Sequence, residues 1–259
     1  MDTELTPAGS EPAPEMPLAS RLANVFAAPG EVFDAIRTRP VSTANWLVPA
    51  LLIIVLGWLS AAVIFNQDSV RQQLSEMTEK GLEKQIASGK LTQEQADKAR
   101  DVSAVIFKIS AVAVPVLTAI VVPFWWGLLL WLAGAKAMHG GFSYMKAVEL
   151  AGLANIILVL DTIVRTLLIV VTGNLFAGPG LVLLVKDYDP QNAVHGLLAM
   201  ANATLLWILI LRSIGLARFC RVTFVKAAVW VFGMWATFTA LLFGFGQFMK
   251  MLGKAAGGG

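Results

Sequence analysis

Charge is scarce in this chain: only 14% of its 259 residues are Asp, Glu, Lys or Arg, against roughly 25% in an ordinary soluble domain. Cysteine is nearly missing. Cys220 stands alone, so neither a disulfide framework nor a paired-thiol redox or zinc site can form within the chain. Histidine is rare too, with His139 and His195 only, and there is no GxSxG, HExxH or phosphate-loop pattern. These absences exclude the usual hydrolase, metalloprotease and nucleotide-binding sites, and no cofactor or metal is expected. No basic stripe with interleaved aromatics occurs, so nucleic-acid binding has no support. What abounds is apolar: 57% of residues, with a mean hydropathy of +0.70 and a net charge of +3. Lipid, not water, is expected to cover most of the protein.

Crossing a bilayer takes about 20 apolar residues at 1.5 Å rise each. Five stretches qualify, beginning and ending near Trp46–Phe65, Ser110–Leu132, Ala147–Val171, Leu197–Leu216 and Val225–Met249. Pro115 and Pro123 are expected to bend the second. The run LFAGPGLVLLVKD, between the third and fourth, is too short to span and reads as interfacial or re-entrant. The fold class is therefore all-α, a polytopic bundle of five transmembrane helices occupying residues 41–250.

Two appendages flank this bundle. Residues 1–20 are acidic and Pro-rich, with no apolar run or basic lead, and are expected to form a disordered tail rather than a signal peptide. In residues 21–40, Leu22, Val25 and Phe26, then Val32, Phe33 and Ile36, form apolar patches at helical spacing, with Arg21, Arg37 and Arg39 on the polar side. Such an N-terminal interfacial helix suits the membrane surface, with Arg21, Phe26, Phe33, Arg37 and Arg39 as contacts; packing against the protein's own helices is the alternative. Residues 67–103 are the one sizeable polar insertion. Val70, Leu74 and Met77 repeat at helical spacing, Ser88-Gly89 stops that helix, and Thr92 with Gln95 forms a capping box that starts another. The result is an extramembrane helical hairpin whose second arm runs into the second span. Residues 251–259 read as a flexible Gly-rich tail.

With the N-terminus placed in the cytoplasm and the charge-balanced hairpin left aside, eight basic residues fall inside and three outside, which favours that orientation. His139 and His195 then lie in loops on opposite sides and cannot share a proton or a metal. Cys220 sits beside Arg218 and Arg221 but has no neighbouring base or resolving thiol in sequence.

The residues that remain to be explained are polar and lie in spans three and four. Asp161 and Arg165 are an i,i+4 pair near mid-membrane. Arg212 in the fourth span lies roughly 10 Å from Asp161 along the axis, and Glu149 is its second possible partner; Asn155 and Asn202 add polar atoms to the same two helices. Such groups either line a path for an ion or small solute or lock two helices together, with Arg212 snorkelling to the inner surface. Small residues at Gly233, Ala236, Ala240 and Gly244 prepare the fifth span for close packing, within the bundle or against a second copy.

The run LANVFAAPGEVFDAIRTRPVSTANWLVPAL, with Phe26, Pro29, Phe33, Ile36, Pro40, Trp46 and Pro49, resembles bacterial members of the Yip domain family (Ypt/Rab-interacting proteins). So do LEKQIASGKLTQEQADKAR and GGFSYMKAVELAGLANI, the likeness covering about residues 20–250. The resemblance implies a multi-pass protein of a bacterial inner membrane, N-terminus cytoplasmic, and no catalytic residue. Eukaryotic relatives contact small GTPases, but the DLYGP-type signature of those relatives is missing here. The function expected is that of a non-enzymatic membrane protein that organises the lipid bilayer or protein partners, a partner being met through the N-terminal segment and a homo-oligomer being one form it takes. A small transporter or channel using Asp161, Arg165 and Arg212 is the alternative.

Overall fold

The computed structural model describes residues 16–185, 188–189 and 192–256. Most of the segment read as a disordered tail lies outside these. Two short helices open the described chain, α1 (Leu18–Ala27) and α2 (Pro29–Arg37), followed by α3 (Ala44–Phe65), α4 (Asp68–Ala87) and α5 (Gln93–Trp131). A wider π-helical turn, Leu132–Ala137, leads to α6 (Tyr144–Ala154) and α7 (Ile157–Thr172), then α8 (Ala193–Met200), α9 (Ala203–Cys220) and α10 (Phe224–Ala256). Over the described residues the protein is all-helical, with five helical stretches long and apolar enough to cross a membrane: Ala44–Phe65, Gln93–Ala137, Tyr144–Thr172, Ala203–Cys220 and Phe224–Met249.

Buried residues concentrate at one end of the bundle. Val25, Val32, Phe33 and Ile36 of α1 and α2 pack with Leu150 and Leu153 of α6 and Leu209, Leu211 and Leu216 of α9 in one cluster. Almost every residue of α6 is enclosed. Toward the hairpin end the apolar contacts shrink to a small cluster of Val70, Ile169 and Ala177. In lipid, apolar area gives helices no reason to associate, so close backbone approach has to supply the attraction. Glycines provide it here. A Cβ on Gly127 of α5 would stand 3.0 Å from the Val148 Cα, and one on Gly57 of α3 would meet the Pro115 Cβ at 2.6 Å. At that second crossing the Trp58 indole N–H donates to the Val112 carbonyl at 3.0 Å, in the turn that Pro115 loosens. α5 nevertheless runs helical through both Pro115 and Pro123.

Two expected spans differ in detail. The third is interrupted: α6 ends at Ala154 and α7 begins at Ile157. The fourth starts at Ala203, not near Leu197, because Asn202 is an N-cap whose Oδ1 accepts from the Leu205 N–H at 2.7 Å. The backbone around it is engaged sideways, Ala203 N–H on the Pro179 carbonyl at 3.0 Å and Leu181 N–H on the Ala201 carbonyl at 3.1 Å. Apolar residues 193–200 therefore belong to the separate α8, and His195 sits in that helix, its ring stacked on Tyr188 at 5.8 Å. Among its described residues the LFAGPGLVLLVKD run contains one 3-10 turn, Leu181–Leu184. At the C-terminal end α10 runs on to Ala256, into the segment read as a tail.

The hairpin of α4 and α5 has the expected turn and cap. Gly89 adopts φ 68° just after α4, a conformation that suits glycine. The Thr92 N–H donates to Gln95 Oε1 at 2.9 Å while the Gln95 N–H donates to Thr92 Oγ1 at 3.3 Å, closing the capping box. At the foot of α4 the Gln73 amide donates to the Gly173 carbonyl at 2.6 Å and accepts from the Leu175 N–H at 3.0 Å. Between the arms Arg100 donates twice to Glu79, at 2.6 and 2.8 Å.

Those hydrogen bonds from Arg100 hold the Glu79 carboxyl below its ordinary 4.5. A carboxyl with a lowered folded-state pKa contributes its stability above the unfolded value and loses it as pH falls through the folded one. The interspin distance between labels on α4 and α5 is therefore expected to stay narrow from neutral pH down to about 4.5, and to broaden below that. A distribution that stays narrow in acid means that the bridge does not hold the arms together.

Candidate functional site

Two polar constellations lie inside the bundle. The first joins the N-terminal helices to the spans. Glu149, on the enclosed face of α6, accepts from Lys146 Nζ at 2.5 Å and from the Asn45 amide at the start of α3. Lys146 also reaches the Pro40 carbonyl at 3.2 Å. Arg21 of α1 donates to Asn45 Oδ1 at 2.9 Å and to the Met16 carbonyl at 2.8 Å. Glu149 is 1% exposed and Lys146 5%, so each charge depends on the other for its solvation. Three helices and the α2–α3 connection are thus joined by one network, in which Asn45 and Lys146 touch the carboxylate and Arg21 and Pro40 are linked to it through them.

The second constellation lies between spans three and four, in two separate parts. Asp161 Oδ2 is 3.5 Å from Arg165 Nε, the expected i,i+4 pair, and Oδ1 accepts from the Thr204 hydroxyl at 2.6 Å. The Arg165 guanidinium lies against Gly178, where a Cβ would meet Nη1 at 2.5 Å. Nearer the packed end, Arg212 of α9 is buried at 3% exposure, its Nη2 donating to Asn155 Oδ1 at 2.8 Å and its guanidinium 4.0 Å above the Trp126 ring centroid. Asn155 stands at the break between α6 and α7.

Several sequence expectations change on this geometry. Glu149 is not the partner of Arg212. It is taken by Lys146, three residues earlier on the same helix, and among the described residues Arg212 has no carboxylate within ion-pair distance. An aromatic face and an amide oxygen hold the guanidinium instead. Asn202 caps α9 and does not join the cluster. Of the five N-terminal residues read as membrane-surface contacts, Phe33 is fully enclosed and Arg21 is turned inward. Phe26 remains 36% exposed, its ring edge-on to Trp207 at 5.7 Å. Arg37 and Arg39 are half-buried near the end of α2. Sequence reasoning passed over Asn45 and Lys146. The signal was there: a lysine and a glutamate at i,i+3 entering a span, and an asparagine one residue before Trp46.

Five apolar helices with charged groups inside the bundle define an integral, multi-pass α-helical membrane protein. The family model of the Yip1 domain matches residues 23–245, and the chain belongs to that family. Comparison with curated proteins and with solved structures gives no match.

Proposed function

We propose that this Yip1-domain protein is a non-catalytic organiser of other membrane proteins or of the bilayer itself. It lies in a bacterial cytoplasmic membrane with its N-terminus on the cytoplasmic side, and α1 and α2 are its contact surface. The observation that carries this reading is the buried network of Arg21, Asn45, Glu149 and Lys146. It holds α1 and the connection leaving α2 in one pose against α3 and α6, and a surface already fixed pays no ordering cost when a partner or a head group meets it. The excess of basic residues on the same side supports the orientation. On α10, the places where Cβ atoms of Gly233 and Gly244 would stand are open, which suits a second copy or a partner helix.

Asp161 favours a lock over a solute path, since both its oxygens are engaged, one by Arg165 and one by Thr204 across to α9. The test is single-cysteine labelling in native membranes, with Cys220 changed to Ser and membrane-impermeant maleimide supplied on both sides. Cysteines at 158 and 162, which flank Asp161, are expected to stay unlabelled while one at 90 in the hairpin turn reacts quickly. Rapid labelling at 158 or 162 overturns the organiser reading in favour of a water-filled path for an ion or small solute.

A further inference from the structure

A groove opens where α2 crosses the end of α9. Its volume is about 760 Å³, and its lining includes Asp34 and Arg37 of α2, Ile214 and Arg218 of α9, and Arg221 and Phe224 beyond it. A cavity of this size accepts a small organic ligand or a lipid head group. Its charge is lopsided, with three guanidiniums facing one carboxylate. Asp34 is shared, 3.0 Å from Arg218 Nη1 and 4.0 Å from Arg37 Nε. The Nε of Arg37 is buried and donates no hydrogen bond among the described residues. Arg221 is present at a backbone cost. It takes φ 52° as the residue that ends α9, the left-handed region where glycine ordinarily terminates a helix.

The depth of this groove follows from α9. Its 18 residues measure about 27 Å, close to the roughly 30 Å of the hydrocarbon core. Arg218 in its last turn and Arg221 just past its end therefore sit at head-group level. Ile214 lies a turn deeper, at acyl-chain level, and Phe224, 45% exposed, lines the same groove at the start of α10. Apolar below and multiply basic above is the profile of one molecule, a phospholipid with its tail along the helices and its anionic head among the arginines. Gly30 of α2 makes room for one of these arginines: a Cβ there would stand 2.9 Å from Arg218 Nη2.

We infer that Arg37, Arg218 and Arg221 form a binding site for the phosphate of an anionic phospholipid, held in the groove between α2 and α9. This deepens the proposed function and rests on the reading of α1 and α2 as lying at the membrane surface. The test uses the full chain in nanodiscs of phosphatidylcholine alone or with added phosphatidylglycerol, reading thermal stability and the lipid retained after extraction into detergent. The wild type is expected to be stabilised by phosphatidylglycerol and to retain it. Each arginine removed should weaken retention about fivefold. Arg221→Gly is the decisive variant, because it relieves the left-handed backbone and removes the charge together. It is expected to keep or raise stability in phosphatidylcholine while losing most of the phosphatidylglycerol response, an outcome misfolding does not produce. Equal retention by wild type, Arg221→Gly and Arg37→Gln overturns the site. Inorganic phosphate in phosphatidylcholine discs is expected to give no stabilisation; if it reproduces the full response, the groove is a site for a soluble anion and the lipid assignment fails. A nitroxide at position 31 on α2, read for depth, separates the two levels. Head-group depth without lipid retention refutes the site alone, whereas a label far from the bilayer refutes the surface reading beneath it.

Discussion

Glu149→Leu is expected to cost about 3–5 kcal/mol of stability, the range for breaking a buried ion pair by removing one partner. The leucine fits the volume, but Lys146 is left charged inside the bundle with the Pro40 carbonyl as its remaining hydrogen-bond partner among the described residues, and the Asn45 amide loses its acceptor. Because Asn45 also holds Arg21, the loss spreads to α1, which should detach from the spans. Thermal denaturation in detergent reads the first effect, and trypsin cleavage after Arg21 in otherwise folded protein reads the second. The double variant Lys146→Met with Glu149→Leu removes both charges and is expected to recover most of the stability, since replacing a whole buried pair by apolar groups is often neutral. A single variant as stable as the wild type, or a double no better than the single, would show that the pair is not what fastens the N-terminal helices.

Gly152→Ala is the second large effect. One methyl group placed there would overlap Cα and Cβ of Trp46 and approach the Asn45 carbonyl oxygen to 3.1 Å. These are backbone and near-backbone atoms of α3 and cannot rotate away. The two helices must separate, and the cost is expected at about 1–3 kcal/mol, the usual range for overpacking a close-packed interior. The displaced Trp46 also loses its edge-to-face contact with Phe124, at 5.0 Å. Gly233→Ala is the control: a Cβ there meets nothing, so alanine should hold or slightly raise stability through helix propensity alone. Melting temperatures of the two variants side by side decide it; a Gly152→Ala protein that melts with Gly233→Ala removes the close crossing as a determinant of the fold.

Much of the architecture was readable from the residues. The five apolar runs and the polar insertion are composition effects, and the Thr92–Gln95 cap is local chemistry that needs no tertiary knowledge. The start of the fourth span was missed because hydropathy averages over a window and gives a single asparagine little weight. Asn202 nonetheless stops one helix and caps the next, because its side chain satisfies a backbone donor. The Asp161–Arg165 pair was legible for the same local reason, both ends lying on one helix face. Its third member, Thr204, lies on another helix, and no spacing rule joins residues 43 apart. Glu149, a second possible partner of Arg212 by sequence, is taken by Lys146 one turn earlier on its own helix, a local i,i+3 pairing of the same kind as Asp161 with Arg165. Phe33 and Arg21 show that an amphipathic segment fits the protein's own interior as well as it fits a membrane surface, and periodicity does not tell the two apart.

The unbroken length of α5 has a mechanical consequence. Its 39 residues make a rod of about 58 Å, roughly twice the thickness of the hydrocarbon core. Taking the apolar run from Ser110, about 27 Å of that helix projects beyond the bilayer, and the helix is continuous between the two parts. It acts as a lever with its fulcrum at the membrane surface, where Gln73 ties the base of the neighbouring arm to the end of α7. Tilting the span by about 10° sweeps the far tip through about 5 Å. A tilt of the span, from a change in bilayer thickness or in the packing around Gly57 and Gly127, is expected to reach the water at about its own amplitude, the projecting arm being nearly as long as the embedded one.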